Sequence, residues 1–172
     1  MPDASWISPI LDEYEGPLVR YASHITRDPE RAREVVQDTF LQLCRRGPGP
    51  IRDHLGQWLY TVCRNRALDV LRKERRMTGI SAARLGARPH PGPEISAALE
   101  LQERLAGILK ILDTLPANQQ EVLRLKFQGD LSYQEISRVT GLSVSNVGFL
   151  IHAGLKTIRE RVRTEPAPGR AK

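Results

Sequence analysis

Asn65, Asp69, Arg72 and Arg76 recur at steps of three and four, so on a helix they line one face. An amide, a carboxylate and guanidiniums on one face can meet base edges and phosphates together. The other reading of the same spacing is a solvated surface laced with ion pairs. A second constellation lies in residues 131–163. Ser132-Tyr133-Gln134-Glu135 has the form of a capping box, in which the serine hydroxyl accepts a backbone N–H and the glutamate reaches back. Gly141 suits a tight turn, because positive φ is cheap only for glycine. Ser143 then caps a second helix with apolar residues at Val144, Val147, Ile151, Leu155, Ile158 and Val162. A short capped helix, a glycine turn and a longer helix suit a reader of the DNA major groove, and they also describe an ordinary helical hairpin.

Other chemistry finds little support. The sequence shows no paired carboxylates in a plausible cleft, no metal-ligand spacing, no phosphate-binding glycine loop and no nucleophile elbow. His24, His54, His90 and His152 are scattered, and Cys44 and Cys63 fall among apolar residues, where small buried hydrophobes are expected. These features predict a protein that is not an enzyme and uses no cofactor or metal. No apolar run approaches a membrane span and no signal segment opens the chain, which predicts a cytoplasmic location.

The net charge of +6 is unevenly placed. Residues 58–88 hold eight Lys/Arg against two Asp/Glu, and residues 132–172 hold seven against three. The intervening residues 89–131 hold four against six, and residues 1–57 seven against nine. Two basic segments separated by acidic ones suggest two contacts with a phosphate backbone.

Three main helices are expected before residue 77. The first breaks near Gly16-Pro17, since proline fits a first turn better than a helix interior. The second starts at Asp28-Pro29 and turns Ala32, Val35, Val36, Thr39, Phe40 and Leu43 inward. The third runs over about residues 54–76 and buries Leu55, Leu59, Val62, Cys63, Ala67 and Val70. Residues 77–94 are rich in Gly and Pro, so neither helix nor strand can persist, and a flexible linker is predicted. Beyond it, a helix carries Leu101, Leu105, Ile108, Leu112 and Leu115 on one stripe. Leu115-Pro116 restarts a helix through Phe127, with Val122, Leu123 and Phe127 as core candidates, and residues 164–172 read as a disordered tail. The fold class is all-α, with two small helical domains joined by a flexible Pro/Gly linker.

At this point the chain resembles an extracytoplasmic-function (group 4) bacterial sigma factor over nearly its whole length. Asp28–Leu43 (DPERAREVVQDTFLQL) resembles region 2.2, and Trp58–Arg76 (WLYTVCRNRALDVLRKERR) regions 2.3 and 2.4. Leu115–Phe127 (LPANQQEVLRLKF) resembles region 4.1 and Leu131–Arg161 region 4.2. The resemblance implies a region 2 domain over residues 5–76 that binds core RNA polymerase and the −10 promoter element. It implies a region 4 domain over residues 95–163 whose helix-turn-helix binds the −35 element. Glu34, Gln37 and Asp38 match the helix that grips the β′ clamp helices, and the β flap is a further implied contact. The loop over residues 47–57 would cup a base flipped from the −10 element, with Asn65 and Asp69 near it and Arg66, Arg72, Lys73, Arg75 and Arg76 as backbone anchors. Ser143, Ser145, Asn146, Phe149 and Lys156 would face the −35 element. Core polymerase, promoter DNA and an anti-sigma factor are the implied partners.

Two departures stand out. The family commonly has a basic, polar run after the valine of the recognition helix, whereas this chain has Val147-Gly148-Phe149-Leu150-Ile151-His152-Ala153. Cys44 stands where a tryptophan is often found. Two rival functions use the same residues: a helix-turn-helix regulator acting without polymerase, and a sigma mimic that sequesters an anti-sigma factor. The first leaves the Glu34–Asp38 face unexplained. The second would need no DNA-binding charge on the DNA-facing helices.

Overall fold

The computed structural model describes residues 4–79 and 98–164, and all regular structure among them is helical. A 3-10 turn at Ala4–Trp6 leads into α1 (Ile7–Thr26), then α2 (Pro29–Arg46), a 3-10 segment at Gly49–His54 and α3 (Leu55–Thr78). The second half holds α4 (Ala98–Asp113), α5 (Ala117–Phe127), α6 (Tyr133–Thr140) and α7 (Val144–Thr164).

Helix α2 starts where its sequence dictates. The Asp28 carboxylate accepts the backbone N–H of Glu30 at 2.9 Å, and Pro29 occupies the first turn, where its missing N–H costs nothing. Its expected inward face is buried in full: Ala32, Val35, Val36, Thr39, Phe40 and Leu43. These residues meet Leu18, Tyr21 and Ala22 of α1 and Leu59, Cys63 and Ala67 of α3 in a three-helix bundle.

α1 differs from expectation, for it passes through Pro17 unbroken. An interior proline costs about 3 kcal/mol. Leu18, Tyr21 and Ala22, just beyond it, are all at most 1% exposed, and burying a large apolar side chain contributes about 1.5–3 kcal/mol. Packing on both sides of the proline outweighs the lost hydrogen bond. Cys44, expected inside, is exposed, whereas Cys63 is buried.

In the second bundle, α5, α6 and α7 enclose Val122, Leu123, Leu125, Ile136, Val139, Val147, Leu150 and Ile151, and α4 lies along α7. Several expected core positions face outward instead. Leu101, Leu105 and Ile108 are exposed because α7 covers only the later part of α4, where Ile111 and Leu112 are buried. Phe127, at the last turn of α5, is exposed too, as are Val144 and Val162 at the two ends of the α7 stripe. Leu150, off the expected stripe, is buried.

Helix α3 continues two residues past Arg76 to Thr78, and Gly79 closes it in the left-handed region at φ 61°. The remainder of the expected linker, and residues 165–172 of the expected tail, lie outside the described residues. The two bundles do more than share a tether. α6 packs on α3, and one buried cluster runs through both bundles.

Candidate nucleic-acid interface

Asn65, Asp69, Arg72 and Arg76 occupy one exposed face of α3, as their spacing predicts, with Lys73 and Arg75 exposed beside them. Asp69 accepts a hydrogen bond from Arg72 at 3.1 Å, so this pair partly neutralises itself and leaves Arg76 and its neighbours to set the positive field. Arg66 departs from the set. It turns to α2 and binds the Asp38 carboxylate through Nε at 2.8 Å and through its terminal nitrogen at 2.7 Å. One residue of sequence rotates a side chain about 100° around a helix, and that offset brings Arg66 to α2 while Asn65 is exposed.

On α2, Glu34 and Gln37 are exposed and Asp38 is half-buried by that ion pair. Arg31 bonds Glu34 at 3.2 Å and also reaches Glu74 of α3 at 3.3 Å, so the polar face of α2 is stitched to α3 twice. The 3-10 segment carries Arg52, Asp53 and His54 on its exposed side, while Ile51 is buried. These residues wall a cavity of about 420 Å³ whose other sides are Tyr14, Tyr60 and the loop over residues 128–131.

The helix-turn-helix forms with both of its start signals intact. Ser132 accepts the Glu135 N–H at 3.2 Å, and Glu135 accepts the Ser132 N–H at 2.8 Å. That backbone bond holds the Glu135 carboxyl below its ordinary range. Gly141 adopts φ 78°, and Ser143 accepts the Asn146 N–H at 3.1 Å. Ser143 is therefore a cap first, its hydroxyl oxygen turned to its own helix. Ser145, Asn146, Phe149 and Lys156 are exposed, Phe149 at 68%. A β-carbon on Gly148 would sit 3.4 Å from the Tyr133 ring, at ordinary van der Waals contact, and that ring lies under the Lys126 ammonium at 5.9 Å.

Sequence reasoning missed a cluster where the bundles meet. Glu121 of α5 accepts from the Tyr21 hydroxyl at 2.8 Å and from Arg64 at 2.7 and 3.3 Å. The hydrogen bond with Glu121 raises the Arg64 pKa, and burial pushes the Tyr21 phenol well above its ordinary range. Nearby, burial and then the charges of Arg124 and Arg27 push the His24 pKa down to about 3. Arg124 is only 9% exposed, and burial lowers its pKa although Asp113 binds it at 2.8 Å. Gly129 lets its loop come close: a β-carbon there would lie 3.0 Å from the Tyr60 ring and 2.8 Å from the Leu125 carbonyl oxygen. No periodicity marks Glu121 or Arg64, because their partners lie in the other bundle.

The geometry thus offers one basic helix face and one capped helix-turn-helix, in that chain order. The description "Sigma-70 region 2" matches residues 10–77, and "Sigma-70, region 4" matches residues 105–158. The chain belongs to the sigma-70 family. Its relatives place this sigma factor in the extracytoplasmic-function group. It is similar to the ECF RNA polymerase sigma factor SigM of Bacillus subtilis, 27% identical over 159 residues that cover 90% of this chain and 96% of SigM. It is also similar to SigL of Mycobacterium tuberculosis, 28% identical over 162 residues, or 91% of this chain and 89% of that one. In fold, the sigma factor resembles Bartonella quintana RpoE, crystallised in complex with the anti-sigma factor NepR. The TM-score is 0.69 at 20% identity, covering 95% of this chain and 100% of that one.

Proposed function

We propose that this sigma factor is an alternative one that binds core RNA polymerase through the outer face of α2 and brings it to promoters read by α3 and α7. The observation that carries the reading is the stitched α2–α3 pair, with an acidic and amide face on one helix and a basic face with one amide on the next. Glu34, Gln37 and Asp38 would meet the β′ clamp helices. Asn65 and Asp69 would lie by a flipped −10 base held in the loop over residues 47–57, with Arg72, Lys73, Arg75 and Arg76 on phosphates. Arg66 would serve the DNA only after leaving Asp38. At the −35 element, Ser145, Asn146, Phe149 and Lys156 would face the major groove, with Ser143 positioning them as the cap.

Residues 5–76 and 95–163 would be the two working domains, the second also touching the β flap. Its site is the cytoplasm, where the polymerase works, and its role is that of an initiation factor without catalytic chemistry of its own. No described helix is long and apolar enough to cross a membrane. The proposal extends to an anti-sigma factor as partner, on the ground that the fold neighbour was crystallised with one. Incubation with purified core polymerase followed by size exclusion tests the reading: the chain should co-elute with core, and failure to do so at micromolar concentration would contradict it.

A further inference from the structure

The cavity of about 420 Å³ beside the 3-10 segment is lined by two side chains that each carry a buried polar atom with no partner in the protein. These are the Tyr60 hydroxyl and the Gln128 side-chain carbonyl oxygen. Tyr60 is only 1% exposed, and the ring carbon that bears its hydroxyl lies 3.0 Å from where a β-carbon on Gly129 would stand. The hydroxyl therefore sits where the loop over residues 128–131 walls the cavity. Leaving a buried hydroxyl or amide oxygen unpaired costs stability, and native proteins pair nearly all such groups. We propose that the cavity is a binding site for an aliphatic polyamine, whose inner ammonium donates to Tyr60 and Gln128 and whose outer one meets carboxylates at the mouth.

The rim selects the charge of the ligand. Glu13, Asp53 and Asp130 are exposed lining residues, with Glu135 half-buried among them, against one guanidinium, Arg52, and one imidazole, His54. The same sign is felt inside. Burial first, and then the negative charges of Glu13, Glu135 and Asp130, raise the Tyr14 pKa. Burial also pushes the Tyr60 phenol up, so it stays a hydroxyl and offers its lone pairs to a donor. An ammonium group has three donors and no acceptor, which suits two oxygen acceptors within and carboxylates at the mouth. Tyr14 and Tyr60 give the cavity aromatic walls, against which methylenes and a cation both pack favourably. A phosphate-bearing ligand would meet like charge at the rim. Among the described residues no group of acidic, histidine or cysteine side chains is placed to hold a metal ion, which leaves an organic cation. The chain as a whole is basic, at +6, so overall charge repels a polyamine and the attraction has to come from these carboxylates.

Isothermal titration calorimetry of the full chain with spermidine tests the site, with magnesium chloride and adenosine as comparison titrants at the same ionic strength. Wild type should bind spermidine saturably, and neither magnesium nor adenosine should saturate in the same concentration range. Tyr60→Phe removes the hydroxyl alone and should weaken spermidine binding about tenfold, the loss of one hydrogen bond to a charged group. Its melting temperature without spermidine should be no lower than that of wild type, because the hydroxyl it loses has no partner in the protein. Asp130 adopts a positive φ of 51°, which asparagine also tolerates, so Asp130→Asn keeps the loop and should weaken binding about threefold. Glu103→Gln, exposed on α4 and outside the cavity, makes the same change of charge and should bind as wild type does. No saturable binding of spermidine by wild type, or equal affinity in wild type and Tyr60→Phe, would overturn the site. Tighter binding of adenosine than of spermidine would overturn it as well. So would an equal loss in Glu103→Gln and Asp130→Asn, since surface charge alone would then account for the binding.

Discussion

Asp38 of α2 and Arg66 of α3 hold each other at 2.7 Å, although the family resemblance assigns the first to polymerase and the second to DNA. Both side chains are about 40% exposed, so the pair contributes little to stability, about 0–1 kcal/mol after solvent screening. Its consequence is positional: a carboxylate on the α2 face proposed for polymerase is oriented from the helix proposed for DNA.

Replacing Gln37 and Asp38 together with alanine should abolish competition for core polymerase while leaving helical content unchanged, because both lie outside the buried face of α2. Arg66→Ala should weaken core binding by a smaller factor, about two- to fivefold, by releasing Asp38. A competition assay against a labelled second sigma factor measures both. Normal competition by the double variant would remove α2 from the polymerase interface.

Arg76→Ala should weaken every promoter by a similar factor and flatten the salt dependence of binding by about one unit, since a phosphate contact releases counterions without reading sequence. Asn65→Ala should instead cost selectivity among −10 variants. A promoter-specific loss from Arg76→Ala at unchanged slope would reverse these roles.

Phe149 is 68% exposed one turn beyond the α7 cap, on the face with Ser145, Asn146 and Lys156. Apolar contact with a thymine methyl is a direct readout in the major groove. Phe149→Ala should therefore lower discrimination at one A·T step of the −35 element by about 1 kcal/mol or more, measured by transcription from a panel of −35 variants. Uniform behaviour across the panel would assign the ring to a protein contact or to none.

His24 gives the fold a pH dependence of known sign. Burial, and then the charges of Arg124 and Arg27, depress its pKa to about 3, against an ordinary value near 6.5, so the folded protein holds it neutral. Its contribution to stability is then fully present above about pH 6.5 and is lost as pH falls below it, by up to about 1.4 kcal/mol per unit. The melting temperature should fall between pH 7 and pH 5, and His24→Gln should reduce that fall. An equal fall in His24→Gln and wild type would show that His24 is not held neutral by the fold.

What was legible in the sequence was whatever local chemistry decides. Asp28-Pro29, the Ser132–Glu135 box, Gly141 and the Ser143 cap each act within one turn, and each formed where its residues stand. The inward face of α2 was equally readable because six buried positions follow one period. Misses arose where a distant element decides. Pro17 stays helical because residues from two other helices pack beyond it, and Leu101, Leu105 and Phe127 lie open because no described helix covers them. The clasp at Glu121 joins residues 57 and 100 positions apart, beyond any window of periodicity. Of the candidate site, the exposure of Asn65, Asp69, Arg72 and Arg76 followed from spacing, whereas Arg66 was grouped with them and turned out to face α2.

The most direct test of the central claim is to add the full chain to purified core polymerase on genomic DNA and map the 5′ ends of the transcripts. The account predicts a set of start sites that appear only when the chain is present, share −10 and −35 elements at one spacing, and vanish with the Gln37→Ala, Asp38→Ala double variant. Start sites identical to those of core polymerase alone, or new ones that persist with that double variant, would contradict it.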